Sequence, residues 1–495
     1  MTAYKRSPFE DSTPNFMASV STTRRRRSRY NLLPQWLTAK RITLTLVAAL
    51  VLVVGTYGVR LAFGLAHAFH TNPISAVLGA LGGGNGSSVD QARLRQQRIN
   101  IAVYGYGGNG HDGAFLSDSI MLISINPQAH GQPQVAEISV PRDWYVPIRL
   151  ANGTSYARIN VAYQDGMNGR GPVSAHQTNS GASVANPTLE HLLGVHIDYF
   201  VGVDFTAFRQ AVDSVGGVDV NVPRSFTDTQ YPHGECDQGD CAYETVHFDA
   251  GMQHMDGSTA LIFARSRHGD NGEGSDFARS RRQQLVIAAL KQKVVSIGGV
   301  GNLPDLLNAL GDNVLTNLTV SDAEALFGLV KDVNPASIEH ISLDDTNFLY
   351  ECGYPNNCGA AYLYAHDRSY GTLQHFVQNV FPPLQAFKEK APVTFFDASG
   401  RGLDASTRWS QIAGMLGFST SDGGRAPLQR VTQVIDESSG KDKETAKWLA
   451  SYFGVAVTTQ PAVPTASGPA AAGGVVVVLG SAEETAFKGN PGVGR

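Results

Sequence analysis

Between Arg41 and Arg60 the chain carries 18 consecutive uncharged residues, ITLTLVAALVLVVGTYGV, and a second apolar stretch, LAFGLAHAF, follows Arg60. A helix needs about 20 predominantly apolar residues to cross the hydrocarbon of a bilayer, and an arginine near one end can reach the interface with its charge. The run predicts a transmembrane helix over residues 42–64. Arg24, Arg25, Arg26, Arg27 and Arg29 precede it, and Lys40 and Arg41 stand at its edge. Basic flanks stay on the cytoplasmic side, so a basic arm (1–41) is expected inside the cell and everything after the span outside, a single-pass type II arrangement in the cell membrane. A cleaved signal peptide is the competing reading. The long basic region and an apolar stretch exceeding the usual signal length argue against it. Nucleic-acid binding by the arm is less economical than a topology and lipid-headgroup role.

This division gives meaning to a net charge of −4. Residues 1–41 hold nine Lys/Arg and two acids, a balance of +7, which leaves −11 for the remainder. A hydrophobic content of 42% with 17% charged residues excludes both a disordered tail protein and a polytopic membrane protein. The four cysteines form two close pairs, Cys236 with Cys241 and Cys352 with Cys358, each in turn-rich sequence. They read as two local disulfides in an oxidising compartment. Zinc fits less well, since neither pair is C-x2-C and no His-x3-His accompanies them.

Residues 65–94 read as a linker, Gly/Ser-rich over 71–90, and a polar helical stretch from Gln91 to Arg98 leads into the first strand. From 95 to 345, β-type runs alternate with helical periodicity, which predicts an α/β domain with a buried sheet. Expected strands are 99–104, 119–125, 134–140, 199–203, 218–222 and 261–264; expected helices are 206–215, 277–296 and 321–333. Residues 346–390 read as an irregular connector holding the second cysteine pair. Residues 391–485 read as a small C-terminal α/β domain.

Three clusters in the larger domain carry chemistry. A Gly-rich loop, Gly105 to Gly113, lets backbone N–H groups approach a phosphate, and Asp112 and Asp118 supply hard oxygen ligands suited to Mg²⁺. No Gly-Lys-Ser/Thr follows, so this is not a P-loop. Next, the strand at 134–140 ends in Arg142-Asp143, and strand C-termini commonly face the binding crevice of α/β sheets. Finally, Arg265, Arg267, Arg279, Arg281 and Arg282 fall within 18 residues of an otherwise acidic region. Arg265 and Arg267 would share one face of a strand; Arg279 and Gln283 would share a helix face behind a Ser275 or Asp276 cap. Arginines converging on a helix N-terminus suit phosphate oxygens. Together the clusters predict a Mg²⁺-assisted pyrophosphate site. Neither G-x-S-x-G nor His-Glu-x-x-His is present.

These residues also resemble the LytR-CpsA-Psr cell-envelope proteins. The resemblance runs from about Asn100 to Leu318 through SDSIMLISINP, ISVPRDWYVPI, RINVAY, LLGVHIDYFVGVDF, AVDSVGGVDVNVP, LIFARSRHGD and SDFARSRRQQLVIAALK. Residues 393–480 look like the additional C-terminal domain of many members. The resemblance implies a three-layer α/β/α domain outside the membrane, an apolar tunnel for a polyprenyl tail, and Mg²⁺ (or Mn²⁺) on a pyrophosphate. The implied activity is transfer of a glycopolymer phosphate from a polyprenyl-pyrophosphate carrier to peptidoglycan. Matched by motif, Arg142, Asp143, Arg265 and Arg267 are the implied catalytic residues. Arg279, Arg282 and Gln283 would grip the pyrophosphate, and Asp118, with Asp112, would hold the metal. One departure stands out: many members have Gly-x-Asp-x-Arg after the first strand, and the aspartate position here is Gly107. Two other readings are a non-catalytic polyprenyl-phosphate-binding scaffold and an attenuator-type regulator. The latter needs the arm of residues 1–41 to bind DNA, and that arm has no helix-turn-helix pattern.

Overall fold

The structure, a computed structural model, describes residues 88–111, 113–127, 132–171, 180–232, 242–296, 314–334, 337–351, 362–400, 405–459 and 474–481. The expected membrane helix, the basic arm, Asp112 and all four cysteines lie outside the described residues. Among the described residues no helix is long and apolar enough to cross a membrane.

Helix α1 (Ser88–Leu94) leads into an antiparallel meander of β1 (Ile99–Tyr106), β2 (Ser117–Asn126) and β3 (Gln134–Val140). A hairpin of β4 (Tyr145–Leu150) and β5 (Gly153–Arg158) follows, then helices α2 (Val161–Met167) and α3 (Ala182–Leu193). Strand β6 (Tyr199–Asp204) runs directly into α4 (Phe205–Ser214). Strands β7 (Val218–Val222), β8 (Phe226–Pro232), β9 (Tyr243–Phe248) and β10 (Gly251–Met255) make two separate ladders, β7 with β10 and β8 with β9. Then come α5 (Gly257–Arg265), α6 (Asp276–Ser296), β11 (Val314–Thr316), α7 (Val320–Val330) and β12 (Glu339–Ser342). The main sheet has the order β11-β6-β1-β2-β3-β12 and is mixed, β1 lying parallel to β6 and β3 to β12.

The alternation along β1 explains the layers. Ala102, Tyr104 and Tyr106 pack on one face with Leu122, Ile138 and the residues of α2 and α3. Ile99 and Ile101 pack on the other with Val89 of α1 and Leu326 and Leu329 of α7. Successive side chains point to opposite faces, so a one-residue slip would send each apolar set into the other core, and the two different cores fix the register. The result is the expected α/β/α layering. The helix expected over Gln91–Arg98 is present but lies earlier, at Ser88–Leu94 inside the expected linker, and Val89 is buried in the second core.

The expected strand 261–264 is instead the end of α5. LIFA is too short a run to carry a period, and the deciding signal is Asp256, whose carboxylate accepts from the Thr259 N–H at 2.7 Å and caps the helix. The connector also holds regular structure: β13 (Leu349–Glu351), β14 (Leu363–Ala365), α8 (Gly371–Gln378) and α9 (Leu384–Glu389). The C-terminal unit comprises β15 (Pro392–Asp397), α10 (Ala405–Met415), β16 (Ser419–Arg425), β17 (Gln433–Asp436), α11 (Lys443–Phe453), β18 (Val457–Thr458) and β19 (Val475–Leu479), with sheet order β16-β15-β19-β17-β18. Its interior residues Phe395, Trp409 and Leu449 belong to the same buried cluster as Phe348 and Phe376 of the connector and Leu122 of the main sheet. Connector and C-terminal unit thus share one continuous core with the larger domain.

Candidate functional site

Asp118 sits where β1 and β2 lose register: Gly105 faces Ser119 and Tyr106 faces Ser117, so the residue between is bulged out of the ladder. A bulge re-aims a side chain, and 47% of the Asp118 side chain stays exposed. Two arginines from distant segments meet it. Arg142, in the turn after β3, donates from Nη1 to Asp118 Oδ1 at 2.7 Å. Arg279, in the first turn of α6 and 6% exposed, donates from Nη2 to the Asp118 carbonyl oxygen at 2.8 Å. The expected helix start is in place, since Ser275 Oγ accepts from the Ala278 N–H at 3.1 Å. Asp118, Ser119, Ser139, Pro141, Arg279 and Ser280 line a small cleft at this junction.

Arg142 also lies against Asp143, Nε to Oδ2 at 3.3 Å, and Asp143 Oδ1 lies 3.1 Å from Arg158 Nε. The second contact is close without the alignment of a hydrogen bond. Carboxylates and guanidinium groups therefore alternate in the order Asp118, Arg142, Asp143, Arg158.

Arg265 and Arg267 do not share a strand face. Arg265 ends α5 and Ser266 is already extended, at φ −49° and ψ 136°. The turn between them is held by Asp228, a fully buried carboxylate that accepts from Ser266 Oγ at 2.6 Å and from the N–H groups of Arg267 and His268, each at 3.1 Å. Burial opposes charge on Asp228, but these donors outweigh it and hold the carboxyl below its usual range. The Arg265 guanidinium lies over the Phe205 ring, 4.2 Å from its centroid, and donates to Tyr231 Oη at 3.3 Å. The other side of Phe205 meets His111 of the Gly-rich loop edge-on at 5.1 Å. Phe205 thus joins the Gly-rich loop to the Arg265 turn, while Asp118 joins the Arg142 turn to α6. All three sequence clusters meet.

Arg282, expected to grip the pyrophosphate, turns inward. It is 1% exposed, and its Nη1 is 2.7 Å from Glu273 Oε2. Its Nε donates to the Phe263 carbonyl and its Nη2 to the Ser266 carbonyl. With the guanidinium enclosed, Arg282 instead supports the turn from inside. Gln283 is likewise committed: its Oε1 accepts from Ser119 Oγ at 2.6 Å and its Nε2 donates to the Ala264 carbonyl at 3.3 Å. It ties α6 to β2 and to the end of α5.

Sequence reasoning missed Asp204, Asp228 and Glu273. Asp204 ends β6, caps α4 through the Ala207 N–H at 2.7 Å, and lies so close to the Gly-rich loop that a side chain at Gly108 would meet its carboxylate. Burial raises its carboxyl above the usual range. Its signal was present, an Asp between an apolar run and a helical period. Asp228 and Glu273 carry no local signal. Among the described residues no three His, Cys, Asp or Glu gather as a metal cluster. Mg²⁺, however, commonly takes one or two carboxylates and completes its shell with substrate phosphates and water. The half-exposed Asp118 carboxylate fits that smaller demand.

A curated relative, the Bacillus subtilis polyisoprenyl-teichoic acid–peptidoglycan teichoic acid transferase TagV, is 27% identical over 324 residues, 64% of this chain and 73% of that protein. The Bacillus mycoides transferase TagU is 32% identical over 234 residues, 47% of this chain and 65% of that protein. The crystal structure of B. subtilis TagV aligns with 57% of this chain and 96% of its own at 24% identity and a TM-score of 0.43. The LytR_cpsA_psr family model matches residues 75–371, more than half of the chain, with Asp118, Arg142, Arg265 and Arg279 all inside the match; the chain belongs to the LytR_cpsA_psr family.

Proposed function

We propose that this protein transfers a glycopolymer phosphate from a polyprenyl-pyrophosphate carrier to a hydroxyl group of peptidoglycan. The carrying observation is the convergence of Arg142 and Arg279 on Asp118 at a bulge, beside a small cleft. The names of the Bacillus relatives, transferases of teichoic acid to peptidoglycan, support the glycopolymer and the acceptor class.

The acceptor oxygen attacks the phosphorus that bears the glycan. The bond from that phosphorus to the bridging oxygen breaks, and polyprenyl phosphate leaves with the electron pair. The hydroxyl proton passes to the carboxylate of Asp143 or Asp118. Arg142 and Arg279 at the cleft, with Arg265 and Arg267 at the neighbouring turn, offset charge building on the phosphoryl oxygens and the leaving group. Asp118 would hold Mg²⁺ or Mn²⁺, which would supply charge neutralisation on the pyrophosphate. The helix expected at residues 42–64 keeps the domain beside its lipid substrate.

The test uses the full chain in detergent with a lipid-linked oligosaccharide, an acceptor glycan and Mg²⁺. Arg265→Ala and Arg279→Ala lower transfer by about 10²-fold or more, the scale of losing a preorganised charge partner, while melting temperatures confirm folding. Full transfer by both variants overturns the reading.

A further inference from the structure

Beyond Asp143 the protein presents a cluster of tyrosines that the phosphate site does not use. The β4/β5 register creates part of it: Tyr145 faces Arg158 and Pro147 faces Tyr156, so these four share one face, while Val146 and Ile148 are buried on the other. The β13/β14 ladder supplies the rest, pairing Tyr350 with Tyr364, and Tyr362 directly precedes β14. Tyr145 is the hub. Its ring centroid lies 4.9 Å from Tyr362, 5.6 Å from Tyr364 and 6.3 Å from Tyr156. Tyr350 extends the row, stacked on Tyr364 at 5.8 Å. Tyr156 is 63% exposed, and the other four are partly exposed.

This surface is continuous with the candidate catalytic residues. The Leu363 N–H donates to the Asp143 carbonyl at 3.1 Å, and Trp144 bridges Leu363, which fixes β14 against the Arg142-Asp143 turn. Arg158, the ion partner of Asp143, lies over the Tyr362 ring at 5.1 Å. The row of rings therefore begins one ion contact from Asp143.

The chemistry selects the occupant. An aromatic face carries negative quadrupole density, which attracts the polarised C–H bonds on the flat face of a pyranose ring, and tyrosine hydroxyls add hydrogen bonds at the rim. Rigid tyrosines also provide contact area at small entropic cost. A polyanionic glycopolymer would call for a row of cations, whereas these rings are neutral and, among the described side chains stacked in the row, Arg158 is the only charged one. An uncharged chain of linked pyranoses fits better. We infer that the Tyr145, Tyr156, Tyr350, Tyr362 and Tyr364 face is the docking site of the acceptor glycan strand, aligning its hydroxyl with Asp143. This inference rests on the phosphotransferase reading, and its test separates the two.

The full chain in detergent is titrated with an N-acetylglucosamine hexamer, comparing wild type, Tyr156→Ala and Tyr156→Phe by intrinsic fluorescence and calorimetry. Wild type and Tyr156→Phe bind the hexamer, and Tyr156→Ala weakens binding by about tenfold, the scale of losing one ring contact. In the transfer assay Tyr156→Ala raises the acceptor KM similarly, with kcat and the donor KM unchanged. Hexamer binding that depends on Tyr156 without turnover by the wild type keeps the platform and removes the transferase reading. Turnover with an unchanged acceptor KM in Tyr156→Ala removes the platform and keeps the transferase. A rise in the donor KM alone overturns the acceptor assignment.

Discussion

Arg282 and Glu273 form an ion pair at 2.7 Å with side chains only 1% and 4% exposed, directly behind the turn that presents Arg265 and Arg267. The Phe226 and Phe263 rings lie 4.8 and 5.9 Å from the Arg282 guanidinium carbon. Burial lowers the Arg282 pKa, while the Glu273 carboxylate opposes the shift and keeps the charge matched. A buried pair of this kind is expensive to form and more expensive to break; removing Glu273 strands the enclosed Arg282 guanidinium, whereas removing Arg282 leaves Glu273 paired with Arg281. An arginine that resembles a substrate ligand is thus an internal brace.

Replacing one partner of this pair should therefore act on stability first. Glu273→Gln is expected to cost about 3–5 kcal/mol, the range for breaking a buried ion pair, and Arg282→Met less, because Glu273 keeps Arg281. Urea unfolding followed by circular dichroism measures it. A midpoint unchanged in both variants would contradict a bracing role.

Arg265 differs, because its guanidinium stacks on Phe205 and reaches Tyr231 while leaving α5. A lysine keeps the charge and loses the planar stacking and the fixed fork. Arg265→Lys is expected to retain folding but lower transfer by about tenfold, about 1.4 kcal/mol, within the range of a partly desolvated cation–π contact. Transfer equal to wild type would show that charge alone suffices at this position.

Much of this site could be read from residue order, and what could not has a physical cause. Helix α6 was legible because Ser275 caps it and its apolar residues keep a helical period; its observed span is Asp276–Ser296. Asp118 was legible because it closes a Gly-rich loop at the start of a strand, and Arg142 because it belongs to a charged pair just past the end of one. The α5 segment was not, since four apolar residues fit a strand or a helix equally. The fate of the arginines was also hidden. Arg279 and Arg282 are neighbours on one helix, yet one faces Asp118 and the other Glu273, and no local pattern reveals partners brought in from a loop. The tyrosine face was illegible because it needs two hairpins, one of them inside a segment that reads as irregular.

His340, on the edge strand β12, places Nδ1 2.9 Å from Glu137 Oε2. The Glu137 carboxylate beside it raises the imidazole pKa, burial opposes the shift, and the raised value prevails. A folded value above the unfolded one, about 6.5 for histidine, gives a contribution fully present below pH 6.5 and lost as pH rises through the folded value. Unfolding midpoints at pH 6 and pH 9 should fall for the wild type and change less for His340→Gln. An equal change in both would remove the pair as the cause.

Gly202, in β6, lies where a side chain would overlap the hydroxyl of Tyr163, which projects from α2 with the Tyr106 ring stacked on it and the Tyr104 ring tilted against it. An alanine there must displace the ring or the strand, and overpacking of a filled core costs about 1–3 kcal/mol. Two residues beyond Gly202 are Asp204, which caps α4, and then Phe205, which carries the Arg265 guanidinium. A strand displacement would reach the site through both. Gly202→Ala is therefore expected to lower thermal stability and transfer together, and adding Tyr163→Phe, which removes the overlapping oxygen, should restore part of each. If the double variant is no better than Gly202→Ala in both measurements, the Tyr163 hydroxyl is not the obstacle, and the coupling from the core through β6 to Phe205 does not hold.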